Sequence, residues 1–230
     1  MNTIYLVRHG ENPANLTFEF ASRKVDYSLN AKGREQARQT AEYLLEKGID
    51  EIFASPLKRA QETAQIIAAR LGLPVTTVEQ FREIEVGDYE GQPVSRALWL
   101  KHDEIFANWL MGKPDAAFPN GDDYHRLWGR MRRGLEMVTA DKVDRKIMVV
   151  GHGGIFTATM PSLCPDADVA EILRQPSGNC SVTEVRLESG DGTLRGELVE
   201  WSHVAHLSGE AAKLVPGFPD RGNLFAELGV

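Results

Sequence analysis

Two short apolar runs, far apart in the chain, end in the same way, and that coincidence constrains the fold more than any other feature. Ile4-Tyr5-Leu6-Val7 is a β-prone run closed by Arg8-His9-Gly10. Lys146 to Val150 is a second β-rich run, closed by Gly151-His152-Gly153-Gly154 and passing straight into an apolar helical stretch. Such runs suit buried central strands. A strand that stops at Arg-His-Gly puts a fixed cation and an imidazole at the carboxyl edge of a sheet, where open α/β sheets bind their ligands. If the two strands are neighbours, both rings face one crevice. Taken singly, each histidine also reads as a satisfied core residue or a solvated loop residue. It is the pair that carries weight.

The intervening sequence alternates helical and extended patterns. Residues 13–29 read as a polar loop with two phenylalanines. Asn30 is placed to cap a helix from about Ala31 to Lys47, with Ala37, Ala41, Leu44 and Leu45 as its inner stripe and Gly48 at its end. Glu51-Ile52-Phe53-Ala54 is a short strand. Ser55-Pro56 reads as a cap followed by proline at the first helical position, opening a helix that runs to about Leu71. Pro74 to Val78 is a further strand candidate, and residues 79–92 an irregular loop. Residues 94–140 are helical in two pieces, with Trp99, Phe106, Trp109 and Trp128 making them unusually aromatic. Residues 180–187 and 194–201 form a hairpin pattern across Ser189-Gly190-Asp191-Gly192. The expected architecture is one domain over residues 1–230. It is a three-layer α/β/α sandwich with a central mixed, mostly parallel sheet, a helical cap insertion at about 88–140, and a surface-wrapping tail at about 207–230.

Composition narrows the partners. With 230 residues and a formal net charge of −7, nothing favours nucleic acid or an acidic membrane surface. A basic pocket built against that charge favours a small anion. Cys164 and Cys180 show no ligand spacing and read as reduced core thiols. No apolar stretch approaches a membrane span and the start lacks a basic-then-apolar signal, so the expected location is cytoplasmic.

Arg59 falls in the first turn after Ser55-Pro56, beside a helix amino terminus that itself attracts phosphate. Two arginines, two histidines and that terminus in one crevice would hold a dianion, since a guanidinium grips phosphate oxygens bidentately. Neutral histidine can attack a phosphoryl group. At these residues the chain resembles the histidine phosphatase superfamily, the phosphoglycerate mutase-like proteins. The matching stretches are Arg8-His9-Gly10-Glu11, Asn15, Asp26-Tyr27-Ser28-Leu29 with Gly33 and Gln36-Ala37, Ser55-Pro56-Leu57-Lys58-Arg59-Ala60, Phe81-Arg82-Glu83-Ile84 before Gly87, and Gly151-His152-Gly153-Gly154. They span about residues 3–206, and Trp201 to His206-Leu207 also looks like the end of many members.

The resemblance implies that His9 is the nucleophile that becomes phosphorylated. It implies that Arg8, Arg59 and His152 bind the transferring group and that Glu83 gives a proton to the leaving oxygen, with Glu85 and Glu90 close by as alternatives. It places Asn15 and Ser22 on the phosphate from the loop, with Gly153 lining the site. Arg23 stands where many members carry glycine. No metal or cofactor is implied, because arginines and imidazoles supply the charge.

Three functions share this pocket. A phosphatase lets water take the phosphoryl group; a cofactor-dependent phosphoglycerate mutase returns it to a second hydroxyl; a non-catalytic module only recognises a phosphorylated ligand. Mutases of the family usually carry a lysine three residues after the glycine matching Gly91, and an Arg-Arg pair in the insertion. Here Val94 takes the first position, and Arg132-Arg133 follows the Pro119-Asn120-Gly121 turn rather than preceding it. Ser177-Gly178-Asn179-Cys180-Ser181 also resembles the phosphatase branch. The expectation is therefore a metal-independent phosphatase acting on a small phosphorylated metabolite, a sugar phosphate or a phosphoglycerate-type ester. Lys101, Lys113, Arg126 and Arg130 read as surface residues that a cap could turn toward an anion; His102, His125, His203 and His206 read as structural or solvated, with His125, in the expected cap, the first exception. The aromatic cap and Pro/Gly-rich tail would suit a homodimer.

Overall fold

A computed structural model describes residues 1–190 and 192–216. In chain order the elements are β1 (Asn2–Arg8), α1 (Pro13–Thr17), α2 (Ala31–Leu45), β2 (Glu51–Ala54), α3 (Lys58–Leu71), β3 (Val75–Thr77), α4 (Arg96–Leu110), α5 (Tyr124–Thr139), β4 (Lys146–Gly151), α6 (Gly153–Leu163), α7 (Val169–Arg174), β5 (Val182–Gly190) and β6 (Thr193–His203). The sheet runs β3-β2-β4-β1-β5-β6. The first four strands are mutually parallel; β5 lies antiparallel on β1, and β6 antiparallel on β5. β1 and β4 are neighbours, with Val7 opposite Val150 and Arg8 opposite Gly151. The two histidine-bearing strand ends therefore sit side by side.

The period-2 alternation of the central strands divides the interior. Ile4, Leu6, Ile147 and Val149 face one apolar cluster, shared with Leu127, Met131 and Leu135 of α5 and Ile155 and Phe156 of α6. Tyr5, Val7, Met148 and Val150 face the other, closed by Ala41 and Leu44 of α2 and by Ala60, Ala64 and Ile67 of α3. This is the expected α/β/α sandwich. α5 packs within the helical layer against α6 and β5 rather than standing over the sheet edge, and α4 is the helix of the 88–140 stretch that roofs the crevice.

Asn30 caps α2 as expected, its Oδ1 accepting from Gly33 N–H at 2.8 Å. The start of α3 differs. Ser55 and Pro56 precede the helix, Leu57 is its N-cap without a side-chain bond, and Lys58 is the first helical residue. Asp26, far back in the loop, accepts from Lys58 N–H at 2.9 Å and does the capping instead. Ser55 is otherwise engaged, as described below. The short α1 and α7 fall in stretches without legible periodicity. Residues 207–216 run onto α2, where the Ala211 carbonyl accepts from Gln36 Nε2 at 3.1 Å. The expected tail beyond residue 216, and Asp191 of the hairpin turn, lie outside the described residues. Among the described residues no helix is long and apolar enough to cross a membrane.

Candidate active site

A cavity of about 440 Å³ opens at the carboxyl ends of β1 and β4. Arg8, His9, Arg59, Glu83, Asn15 and Gly153 all line it. The His9 and His152 rings approach to 5.2 Å between centroids. They are not equivalent, however. His9 forms part of the wall, whereas His152 is fully buried behind it and does not line the cavity. The expectation of two rings open to one crevice holds for His9 alone.

His9 is oriented by its own loop. Its Nδ1 lies 2.8 Å from the Gly10 carbonyl. A carbonyl can only accept, so the ring proton sits on Nδ1 and the Nε2 lone pair is left free. Burial, then Arg59 and Arg8, hold the ring well below the usual histidine pKa, so it is neutral at pH 7. His152 Nε2 meets Ser55 Oγ at 2.7 Å. Ser55 Oγ also accepts from Leu57 N–H at 3.4 Å and has its own proton to give to Nε2. When Ser55 Oγ donates to Nε2, the His152 proton lies on Nδ1, a buried atom with no hydrogen-bond partner. Burial, then Arg59, also keeps His152 neutral.

Arg59 is buried and Arg8 partly buried. Arg8 donates through Nη1 to the Ser177 carbonyl, and Arg59 through Nη2 to the Ala21 carbonyl at 2.8 Å. Burial lowers both pKa values, that of Arg59 to about 10, and both remain charged at neutrality. Arg8 Nε and Arg59 Nη1 have no hydrogen-bond partner. With His152 Nδ1, that makes three buried polar atoms without acceptors around one neutral imidazole. Buried donors are rarely left so, and an anion at this position would satisfy them.

Glu83 caps α6 from outside it. Its Oε2 accepts from Gly154 N–H at 3.0 Å and its Oε1 from Ile155 N–H at 2.8 Å. The N-cap residue, His152, makes no such bond because its ring is turned to Ser55. The glycines make room for this. A Cβ on Gly154 would lie 2.7 Å from Glu83 Oε1, and one on Gly153 would lie 3.2 Å from Arg8 Nε. Arg130 of α5 clamps the segment before the carboxylate, donating to the carbonyls of Gln80 (3.1 Å), Arg82 and Glu83 (2.8 Å) and to Asp122 (3.0 Å). Arg130 is thus a structural cation, and Lys101, Lys113 and Arg126 are likewise not among the cavity-lining residues.

Asn15 reaches the cavity as expected. Its Oδ1 accepts from Asn12 N–H and from Asn179 Nδ2, both at 3.1 Å. Ser22 and Arg23 are not brought there. Glu90 accepts from the backbone N–H of Ser22 (2.7 Å), Arg23 (2.9 Å), Lys24 (2.9 Å) and Val25 (3.0 Å), and from Ser22 Oγ (3.0 Å). Arg23 extends to Glu85. Burial alone would raise the Glu90 carboxyl; the four backbone bonds outweigh it and hold the pKa below its usual value. Glu90 is therefore the hub of the loop, and Glu85 is the partner of Arg23. The cap histidine on the wall is His102, bonded through Nδ1 to Asp103 at 2.9 Å, while His125 is exposed beside Asp115.

The molecule is an α/β sandwich with an arginine- and histidine-lined pocket at the carboxyl edge of its sheet. The chain belongs to the histidine phosphatase superfamily, branch 1, whose family model matches residues 4–198. It is 35% identical over 201 residues, 86% of this chain and 97% of the relative, to the uncharacterized phosphatase PhoE of Bacillus subtilis. It is 34% identical over 222 residues, 94% of this chain and 90% of the relative, to phosphoglycerate mutase-like protein 4 of Arabidopsis thaliana. Among solved structures, a mycobacterial glucosyl-3-phosphoglycerate phosphatase in complex with VO3 matches with a TM-score of 0.70 at 26% identity, over 89% of this chain and 100% of that one. The family contains both phosphatases and mutases, and the choice between them rests on the cavity.

Proposed function

We propose that this chain is a metal-independent phosphomonoesterase working through a phosphohistidine at His9. The observation that carries the reading is the set of partnerless buried atoms, Arg8 Nε, Arg59 Nη1 and His152 Nδ1, gathered around a neutral His9. A phosphoryl group seated in the cavity is held by the two guanidinium groups with the Asn15 side chain beside it, while His152 backs His9 from behind the wall at 5.2 Å between ring centroids. His9 Nε2 attacks phosphorus in line. The ester P–O bond breaks, its electron pair goes to the alcohol oxygen, and Glu83 gives that oxygen a proton. Water then attacks the phosphohistidine and yields its proton to Glu83. The P–N bond breaks, its pair returns to Nε2, and inorganic phosphate leaves.

The cavity favours hydrolysis over mutase action. Holding a phosphoglycerate for transfer between hydroxyls calls for a cation on its carboxylate. Among the described residues, Arg8 and Arg59 are the only lysine or arginine residues of the lining, and both stand at the phosphate end. Arg132 is bound to Glu136 and to the Gly192 carbonyl, away from the site. Val94, in the lysine position of mutases, is exposed.

Incubation with p-nitrophenyl phosphate in EDTA tests the reading. Turnover that persists in the chelator and is lost in His9→Ala supports it. Interconversion of phosphoglycerates without phosphate release would instead identify a mutase, and the absence of turnover on any phosphomonoester a recognition module.

A further inference from the structure

The half of the cavity away from the phosphate has its own chemistry. Trp99, His102 and Phe106 recur at spacings of three and four on one face of α4, and all line the wall. Phe20 reaches across from the loop after α1. Its ring lies 4.5 Å from Trp99 and stacks on His102 at 5.0 Å. The indole is fixed by a 3.1 Å bond from Trp99 Nε1 to the Phe18 carbonyl. This is a pre-set aromatic surface, costing little entropy when a flat group settles on it. The charged residues at this end are acidic: Glu19 and Asp103 both line the cavity, and Asp103 is bonded to His102.

We propose that this outer half is a leaving-group subsite for phosphomonoesters of flat, apolar alcohols that bear no second negative charge, with Trp99 and Phe20 as its specificity-determining residues. The proposal rests on the phosphomonoesterase reading and sharpens it. A phenyl or larger ring on the alcohol stacks against Phe20 and Trp99 while its phosphate meets Arg8 and Arg59. A carboxylate on the alcohol, as in a phosphoglycerate, would instead face Glu19 and Asp103, and among the described residues the lining offers it no lysine or further arginine. Specificity then comes from an attractive surface for one class and like charge against the other.

The test compares kcat/KM for 2-phenylethyl phosphate, ethyl phosphate and 3-phosphoglycerate, three aliphatic esters that differ mainly in what the alcohol carries. The aromatic ester is expected to exceed ethyl phosphate by about tenfold or more, with 3-phosphoglycerate below both. Trp99→Leu should bring the aromatic-to-ethyl ratio close to one, with the inhibition constant for inorganic phosphate reporting that the pocket still forms. Glu19→Lys, at a half-exposed position, should raise the 3-phosphoglycerate-to-ethyl ratio. Equal rates on all three esters, or a ratio that survives Trp99→Leu, would overturn the subsite while leaving the phosphatase intact. Failure to hydrolyse any ester, together with no labelling of His9, would overturn both.

Discussion

Nδ1 of His9 donates to the carbonyl of Gly10, its own neighbour, across 2.8 Å. One short bond thereby decides which face of the ring can act as a nucleophile. Burial is the main cause that lowers both His9 and His152, and the neighbouring arginines add to it. Imidazole nitrogen NMR shifts of both should therefore stay those of the neutral ring from about pH 8 to about pH 5.5, through the ordinary histidine range. A midpoint near the model-peptide value for either ring would show that the pocket does not exclude the imidazolium.

The same depression makes stability depend on pH. In the unfolded chain both rings take up a proton below about pH 6.5. In the folded chain they do so only well below that value. The unfolded state then binds more protons, and folding stability falls as pH drops below about 6.5, by roughly 1 kcal/mol per pH unit for each ring until the folded groups titrate. Glu90 acts in the same direction at lower pH: its depressed folded value gives stability above the unfolded carboxylate range that is lost as pH falls through the folded one. Urea unfolding at a series of pH values measures the slope. Inorganic phosphate should flatten it, because an anion in the pocket favours the charged rings.

Glu83→Gln separates proton donation from helix capping. Glutamine keeps one acceptor for the α6 amides and loses the acid. With an alkyl phosphate, whose leaving oxygen needs a proton, kcat should fall by about 10²- to 10⁴-fold. With p-nitrophenyl phosphate, whose leaving group departs as an anion, the loss should be much smaller. The cost in stability should be about 1 kcal/mol, the scale of a carboxylate at a helix amino terminus. Equal losses on both substrates would remove Glu83 from the acid role.

Gly154→Ala makes the same point sterically. The added methyl would stand 2.7 Å from Glu83 Oε1, against 3.2 Å from Arg8 Nε for Gly153→Ala. Gly154→Ala should therefore displace the carboxylate and lower kcat for alkyl phosphates by about tenfold or more, with phosphate affinity little changed. Gly153→Ala should instead weaken phosphate binding. Steady-state kinetics with product inhibition distinguishes the two patterns.

Local signals in the sequence carried the strands and most helices. The apolar runs at Ile4–Val7 and Lys146–Val150 became adjacent parallel strands in the register that aligns their histidines. What local pattern could not convey was which long-range partner claims each polar side chain. Ser55 looks like a helix cap, but His152 takes its hydroxyl and the helix begins at Lys58. Ser22 looks like a phosphate contact, but Glu90, 68 residues later, takes both its amide and its hydroxyl. Glu90 itself has no motif; four backbone amides converging on one carboxylate become visible only in three dimensions. His102 was obscured for another reason. On the helical face with Trp99 and Phe106 it looks like core, and the cavity wall happens to be that face.

Trapping the covalent intermediate tests the central claim most directly. Rapid mixing with a radiolabelled phosphate ester, followed by an alkaline quench and peptide mapping, should place an acid-labile, base-stable label on His9. Inactive His9→Ala should carry none. A label on any other residue, or undiminished phosphate release by His9→Ala, would contradict a phosphohistidine mechanism at this site.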